Sequence, residues 1–217
     1  MNLFPAARRL MVDGQIRTAD VTDSRILAAF GQVPRERFVP ADEADLAYLD
    51  RDTPVGHGRR LLKPMVLARM IHALAIDAGD RVLDVGAATG YSSAILARLD
   101  ASVLALEENA DLAQAAERTL AALDSANVTV RQGPLTAGWP AEGPYDAILL
   151  NGAVERLPDA FTTQLSEGGK LVCVMRRNTA AKVMLYRAGG GELSGRVLFD
   201  AAAPLLPGFV APPEFVF

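Results

Sequence analysis

A short run of small residues after an apolar segment has the composition of a ligand-binding turn. Asp84, Gly86, Ala88 and Gly90 lie in or next to this run, which follows a strand pattern at 82–85 that is apolar except for Asp84 and opens a helical pattern. Glycine permits unusual dihedrals and close approach to the backbone, and a helix N-terminus offers free N–H groups to a carboxylate or phosphate. The run therefore predicts a site for a nucleotide-like ligand, although any tight strand-to-helix turn can use two glycines.

An acidic residue at the end of the next apolar segment predicts the second half of this site. Glu107 follows the apolar residues 103–106, so we expect its carboxylate at the same edge of the sheet, where it can accept both ribose hydroxyls. The alternative is a solvated glutamate at a helix start, a role for which the adjacent Glu108 serves as a comparison.

A dinucleotide-binding fold is the rival interpretation, because its fingerprint also has glycines in this turn and an acidic residue near the next strand end. Here Ala88 and Tyr91 stand at two of its three glycine positions. The lost glycines do not favour a bound pyrophosphate, and Asp84 immediately before the turn is more typical of a methyltransferase.

Strand and helix patterns alternate around these residues and predict an α/β fold with a doubly wound, Rossmann-like sheet. Residues 65–177 alternate regularly, with a helix expected at 158–165, and this implies a mostly parallel sheet with right-handed crossovers. Residues 178–217 contain two strand patterns around Gly189–Gly191, an antiparallel edge hairpin, and then an extended proline-rich tail. Residues 1–64 form short helices and loops on the substrate side. One domain is expected to include all 217 residues.

Composition narrows the possible partners. The formal charge is −4 and the pI is near 5.3, which lacks the positive footprint that binding to phosphate backbones requires. No segment approaches the roughly 20 apolar residues of a membrane-spanning helix. The lone Cys173 predicts a buried thiol in a reducing compartment, and the two histidines predict no metal site. We expect a cytoplasmic protein that binds neither nucleic acid nor membrane, and the composition favours no particular oligomeric state.

Several segments in a fixed order carry a more specific pattern. They are Val33–Pro40 (VPRERFVP), Ala47–Asp50, Pro54–Gly58, the glycine turn with Tyr91, Pro144–Asp146 and Gln164–Val172. Together they resemble the protein-L-isoaspartate O-methyltransferase family over about residues 17–175. VPRERFVP discriminates most, because a generic methyltransferase has no reason to carry it. The resemblance implies a methyltransferase sheet with an antiparallel edge strand, S-adenosylmethionine at the carboxyl ends of the first strands, and methyl transfer to an isoaspartyl carboxylate in damaged peptides.

The resemblance also implies which residues hold the cofactor. They are the residues of the turn and of the following strand end: Asp84, Gly86, Ala88, Gly90 and Glu107. No catalytic base is expected, because a carboxylate is already a competent nucleophile and the sulfonium methyl is already activated. Alignment and exclusion of water can then supply much of the catalysis.

The loop after Gly58 departs from the family pattern. The family usually reads Gln-Thr-Ile-Ser-Gln-Pro there, with the two hydroxyls at the substrate carboxylate, whereas this chain has Arg60 and Leu62 at those two positions. A leucine cannot donate a hydrogen bond to a carboxylate, but Arg59, Arg60 or Lys63 can pair with an anionic substrate. The alternative for these three residues is a solvated basic loop.

The segment at 132–135 is the second departure. Pro134 stands where the family has an aspartate that contacts the adenine, and proline offers neither that acceptor nor a backbone N–H. Trp139 can form a wall of the cofactor pocket or anchor a loop, and Asn151, just past an apolar strand, faces the same crevice.

Three hypotheses about function follow. The first is an S-adenosylmethionine-dependent carboxyl O-methyltransferase that acts on isoaspartyl groups. The second is a divergent family member that lacks this repair activity and acts as a cofactor-binding, regulatory or interaction protein. The third keeps methyl transfer but uses another peptide or small-molecule carboxylate as the acceptor.

Overall fold

Two sheets organise the part of the chain that the computed structural model describes, residues 3–177 and 180–211. The smaller sheet is an antiparallel pair formed by β1 (Thr53–Gly56) and β2 (Arg59–Leu61). The strands of the larger sheet are β3 (Arg81–Val85), β4 (Ser102–Glu107), β5 (Val128–Gln132), β6 (Tyr145–Val154), β7 (Leu165–Arg177), β8 (Ala180–Gly189) and β9 (Glu192–Asp200). The helices are α1 (Phe4–Met11), α2 (Ser24–Gln32), α3 (Pro64–Leu74), α4 (Tyr91–Ala97) and α5 (Ala110–Ala121).

The order of the strands creates one crevice at the edge of the larger sheet. The order is β5-β4-β3-β6-β7-β8-β9, with β3 to β7 parallel and β8 and β9 antiparallel to their neighbours. The chain first moves outward from β3 to β5 and then returns to the other side of β3, so the direction of winding reverses between β3 and β6. In open α/β sheets, ligands bind outside the carboxyl ends of the strands at such a reversal. The predicted fold class, with its antiparallel edge hairpin, is confirmed.

The two faces of the sheet are covered differently. Alternate strand residues point to opposite faces, so Val82 and Val172 pack on one side and Leu83 and Leu171 on the other. Helices α1 to α5 contribute their buried residues to the first face. Short 3₁₀ turns and the tail after β9 cover the second face instead.

The prediction of a helix at 158–165 is wrong. These residues form a 3₁₀ helix, Asp159–Gln164, because β7 already begins at Leu165 and leaves only six residues for the turn. The extended tail is confirmed from Ala201 to Ala211, while the predictions for residues 178–179 and 212–217 lie outside the described residues. No helix in the described part of the chain is long and apolar enough to cross a membrane.

Arg35, within the VPRERFVP segment, joins two loops of the N-terminal extension and contacts the first residue of α4. Its guanidinium is fully buried, and it donates from Nε to the Ala47 carbonyl at 2.7 Å and from Nη2 to the Leu62 carbonyl at 2.9 Å. The same group lies 4.7 Å from the centre of the Tyr91 ring, at the start of α4. Burial lowers the pKa of Arg35. One side chain therefore ties two loops and a helix together.

We predict that Arg35→Ala lowers the free energy of unfolding by about 2–4 kcal/mol, because two buried carbonyls lose their donor and a large side chain is removed. Urea unfolding followed by circular dichroism measures the change. Arg37 lies in the same turn and is exposed, so Arg37→Ala is the matched control and should change stability by less than about 0.5 kcal/mol. Equal losses in the two variants would contradict the role of Arg35.

Candidate cofactor site

Asp84 brings a buried carboxylate to the crevice between β3 and β6. One oxygen, Oδ2, accepts hydrogen bonds from the Ser92 and Ser93 hydroxyls, each at 2.6 Å, in the first turn of α4. The other oxygen, Oδ1, has no hydrogen-bond partner among the described residues. Burial raises the pKa of Asp84 to about 6, although the two serine hydroxyls oppose this effect. The site therefore contains an acceptor atom that can pair with a cationic or hydrogen-bond-donating ligand.

The glycine turn has the left-handed backbone that its composition predicts. Gly86, Ala88 and Gly90 have φ values of 77°, 50° and 91°. A β-carbon on Gly90 would lie 3.0 Å from Leu120 Cδ1 and 3.2 Å from Ala116 Cβ, so Gly90 permits α4 to pack against α5. Gly86 is the glycine of the turn that lies at the crevice.

Glu107, at the end of β4, is the most fully bonded carboxylate of the site. Its Oε2 atom accepts the Ala88 N–H at 2.8 Å, and its Oε1 atom accepts the N–H groups of Glu108 and Asn109 at 3.1 and 3.2 Å. The side chain is completely buried, whereas that of Glu108 is exposed. The position of Glu107 beside the glycine turn is as the sequence predicts.

Arg59 also lies inside this site, on the opposite side of β2 from Arg60. Its Nη2 atom donates to Glu107 Oε2 at 3.2 Å and to the Gly86 carbonyl at 2.8 Å. The alternative of a solvated basic loop does not describe this residue, because only 7% of its side chain is exposed. The sequence predicts Arg59 near the substrate, and the structure places it against the predicted cofactor residues.

The other residues of the basic loop do not enter the crevice. Arg60 is exposed and donates from Nη1 to the Asp52 carbonyl at 3.2 Å. Lys63 is partly buried, and its backbone N–H donates to Asp52 Oδ1 at 3.0 Å. Leu62 is buried in the hydrophobic core, so the second hydroxyl position of the family is an apolar packing position here.

The residues named for the far side of the cofactor pocket lie in different surroundings, and of Pro134, Trp139 and Asn151 only Trp139 packs against the hydrophobic cluster on the second face. Pro134 is exposed, directly after Gly133. A β-carbon on Gly133 would lie 3.0 Å from Trp139 Cζ3, so the indole ring covers this turn and also donates from Nε1 to Glu142 at 3.2 Å. Asn151 donates from Nδ2 to the Ser92 hydroxyl at 2.5 Å, while its Oδ1 atom has no partner among the described residues.

Leu206 is the residue of the site that sequence reasoning missed. Its side chain is buried between two glycines, because β-carbons on Gly86 and Gly152 would each lie 2.8 Å from Leu206 Cδ2. The tail is held there by Ala153 N–H to the Pro204 carbonyl at 2.7 Å and by Leu206 N–H to the Ala153 carbonyl at 2.8 Å. The tail contains apolar residues that favour packing on the domain, but no local pattern indicates that Leu206 lies in the crevice.

The fold and the site together define a class of protein. A mostly parallel seven-stranded sheet, a left-handed small-residue turn after β3 and an acidic residue at the end of β4 are those of a Rossmann-like, S-adenosylmethionine-dependent methyltransferase. The family model for protein-L-isoaspartate(D-aspartate) O-methyltransferase matches residues 7–201. The chain belongs to this family.

Individual relatives agree with this assignment. The chain is 44% identical over 199 residues to protein-L-isoaspartate O-methyltransferase 1 of Rhodopseudomonas palustris, covering 91% of this chain and 81% of the relative. It is 46% identical over 167 residues to the protein-L-isoaspartate O-methyltransferase of Methylorubrum populi, covering 77% and 78% of the two chains.

Solved structures support the fold. A protein-L-isoaspartate O-methyltransferase structure superposes with a TM-score of 0.82 at 24% identity, covering 93% of this chain and 66% of that one. A Plasmodium falciparum structure assigned to the same family, in complex with S-adenosyl-L-homocysteine, superposes with a TM-score of 0.79 at 21% identity and covers 92% and 97%.

The cofactor of this protein is S-adenosylmethionine. The residues present suit its chemistry, because Asp84 Oδ1 is a buried acceptor with no partner among the described residues and Glu107 is a buried acidic residue at a strand end, a type of residue that can accept ribose hydroxyls. Two side chains of the chain itself also lie there: Arg59 is paired with Glu107, and Leu206 lies against Gly86.

We predict a pH-dependent contribution of Asp84 to stability. The folded-state pKa of about 6 lies above the unfolded value of roughly 3.9, so the folded protein binds the proton more tightly. The stabilising contribution of the Asp84 carboxyl group is complete below about pH 4 and is lost as the pH rises through 6. Asp84→Asn should therefore gain stability relative to the wild type between pH 4 and pH 7, by at most about 3 kcal/mol.

Urea unfolding at several pH values measures this difference. Asp50→Asn is the control, because Asp50 is exposed and the substitution removes a carboxylate from the surface of the protein. A difference between Asp84→Asn and the wild type that does not change with pH, or that changes in the opposite direction, would contradict the raised pKa.

Proposed function

We propose that this protein is an S-adenosylmethionine-dependent methyltransferase that esterifies the α-carboxylate of isoaspartyl residues in peptides and proteins. The observation that carries the proposal is family membership over residues 7–201, and two buried carboxylates at neighbouring strand ends, Asp84 and Glu107, support it. Damaged proteins of the cytoplasm, the compartment that the sequence predicts, are the expected source of acceptors. The alternative of a family member with a purely regulatory role is not favoured, because relatives above 40% identity bear the enzyme's name.

Methyl transfer to a carboxylate requires no proton transfer by a titratable side chain of the protein. An isoaspartyl carboxylate is ionised at neutral pH and is itself the nucleophile, so no side chain has to remove a proton. What the protein supplies is alignment and the exclusion of water from the reacting groups.

A cavity of about 280 Å³ is the proposed acceptor site. It lies between the N-terminal extension and the glycine turn, with Phe38, Val55 and Thr89 among its lining residues. The Thr89 hydroxyl donates to the Phe38 carbonyl at 2.6 Å, which fixes the VPRERFVP segment against the turn. Two of the segments that carry the family resemblance therefore meet at this cavity.

We expect the protein to methylate an isoaspartyl peptide and to leave the matching aspartyl peptide unmodified. Base-labile incorporation of a tritiated methyl group measures the reaction. Glu107→Ala should reduce the affinity for S-adenosylhomocysteine and the rate of methylation by at least about tenfold, because charge-assisted hydrogen bonds of this kind contribute roughly 1.5–3 kcal/mol.

Glu108→Ala is the matched control for this experiment, since Glu108 is the adjacent and exposed carboxylate. Circular dichroism establishes that both variants are folded at the assay temperature. Methylation of neither peptide by the wild type, or equal methylation of both, would overturn the proposed acceptor.

We also expect Arg60 to attract the anionic acceptor from solution. Arg60 is exposed and pairs across the β1–β2 sheet with Pro54, next to the Val55 wall of the cavity. Arg60→Ala should raise KM several-fold and leave kcat unchanged, and the effect should shrink at high salt because exposed charges are screened. Arg9→Ala removes an equally exposed charge on α1 and is the control. A change in kcat, or no change in KM, would contradict this role.

A further inference from the structure

Arg59 occupies a hydrogen-bonding position on Glu107, the residue expected to hold the ribose of the cofactor. The Glu107 carboxylate already accepts three backbone N–H groups, and the Arg59 guanidinium supplies the remaining contact in a completely buried setting. A ribose hydroxyl that approached Glu107 Oε2 would meet the guanidinium first. The second contact of Arg59, with the Gly86 carbonyl, places the same group across the glycine turn.

Leu206 closes the same site from the other side. Leu206 Cδ2 and Arg59 Nη2 lie 2.8 and 2.7 Å from a β-carbon built on Gly86, so the two side chains meet above this glycine. Further along, Glu155 N–H donates to the Phe209 carbonyl at 3.0 Å, and the Phe209 ring stacks on Phe161. The tail is thus fastened on both sides of Leu206.

The polar atoms of this region are not fully satisfied in the closed arrangement. Arg59 Nε, Asp84 Oδ1 and Asn151 Oδ1 are buried and have no hydrogen-bond partners among the described residues. Unpaired buried polar atoms are unfavourable, and a bound ligand commonly satisfies them. The closed arrangement therefore fills the crevice with an ion pair and a leucine but leaves acceptors that suit another occupant.

We propose that Arg59 and Leu206 form an internal plug that competes with S-adenosylmethionine for the Glu107 and Gly86 positions, so that cofactor binding requires both side chains to leave the crevice. This inference rests on the proposed function, because it assumes that the cofactor enters this crevice. The apparent affinity is the intrinsic affinity multiplied by the fraction of molecules that are open. Removal of the plug therefore tightens binding even though it removes contacts from the free protein.

Calorimetric titration with S-adenosylhomocysteine tests the plug. Arg59→Gln removes the charge that pairs with Glu107, and Leu206→Ala shortens the side chain over Gly86. Each variant should bind S-adenosylhomocysteine at least about tenfold more tightly than the wild type while being less stable without it. Substitution of a residue with only a structural role would lower both the stability of the free protein and its affinity for S-adenosylhomocysteine. Lower stability together with higher affinity therefore identifies competition.

The controls remove equivalent groups outside the crevice. Arg9→Gln removes an exposed charge, and Val210→Ala shortens an exposed side chain of the same tail. Both should bind S-adenosylhomocysteine as the wild type does. In the wild type, hydrogen exchange at the Leu206 and Ala153 amides should become faster when the ligand binds, because the bonds that hold the tail are released.

The outcomes separate this inference from the proposed function. If the wild type binds the ligand and both Arg59→Gln and Leu206→Ala bind it equally or more weakly, the plug is overturned and the function stands. Slower exchange of the tail amides in the complex overturns the plug as well. If the wild type and both plug variants bind no S-adenosylhomocysteine, the plug and the proposed use of this crevice are both wrong.

Discussion

The buried carboxylate of Glu107 is the interaction on which the arrangement of the site depends. It accepts N–H groups from the glycine turn after β3 and from the residues that begin α5, and a guanidinium from β2. A carboxylate with no exposure is stable only when its lone pairs are occupied. This requirement brings Ala88, Asn109 and Arg59 to one point, although they lie in three separate parts of the chain.

This point, at the end of β4, lies beside the crevice outside the carboxyl ends of β3 and β6, where the strand order reverses. In many open sheets that space is left for a ligand. Here the tail after β9 crosses it, and Gly152 on β6 and Gly86 after β3 are the residues whose missing side chains make room for Leu206. In the proposed plug, Leu206 and Arg59 fill this crevice, and both side chains must leave it before the cofactor can bind.

The uneven covering of the sheet has a related cause. The five α-helices of the described residues pack on one face, so the second face depends on short 3₁₀ turns and on the tail for its apolar contacts. Leu206 and Phe209 are both buried members of that second core. Displacement of the tail would expose part of this core, so the burial of these apolar side chains stabilises the closed state. The N-terminal extension is held differently: the buried hydrogen bonds of Arg35 join its own loops at Ala47 and Leu62, and the Arg35 guanidinium lies against the Tyr91 ring at the start of α4.

The sequence by itself determined the features that depend on neighbouring residues: the strand before the turn, the left-handed backbone at Gly86, the place of Glu107 and the edge hairpin. These follow from local periodicity and from backbone sterics. Only the tertiary structure decided that Arg59 points inward and Arg60 outward, that Leu206 fills the crevice and that residues 158–165 form no α-helix. Arg59 and Glu107 are 48 positions apart, and Leu206 reaches Gly86 from the far end of the chain. Such contacts depend on which face of a strand meets the core and on the path of the tail, and local sequence patterns contain neither.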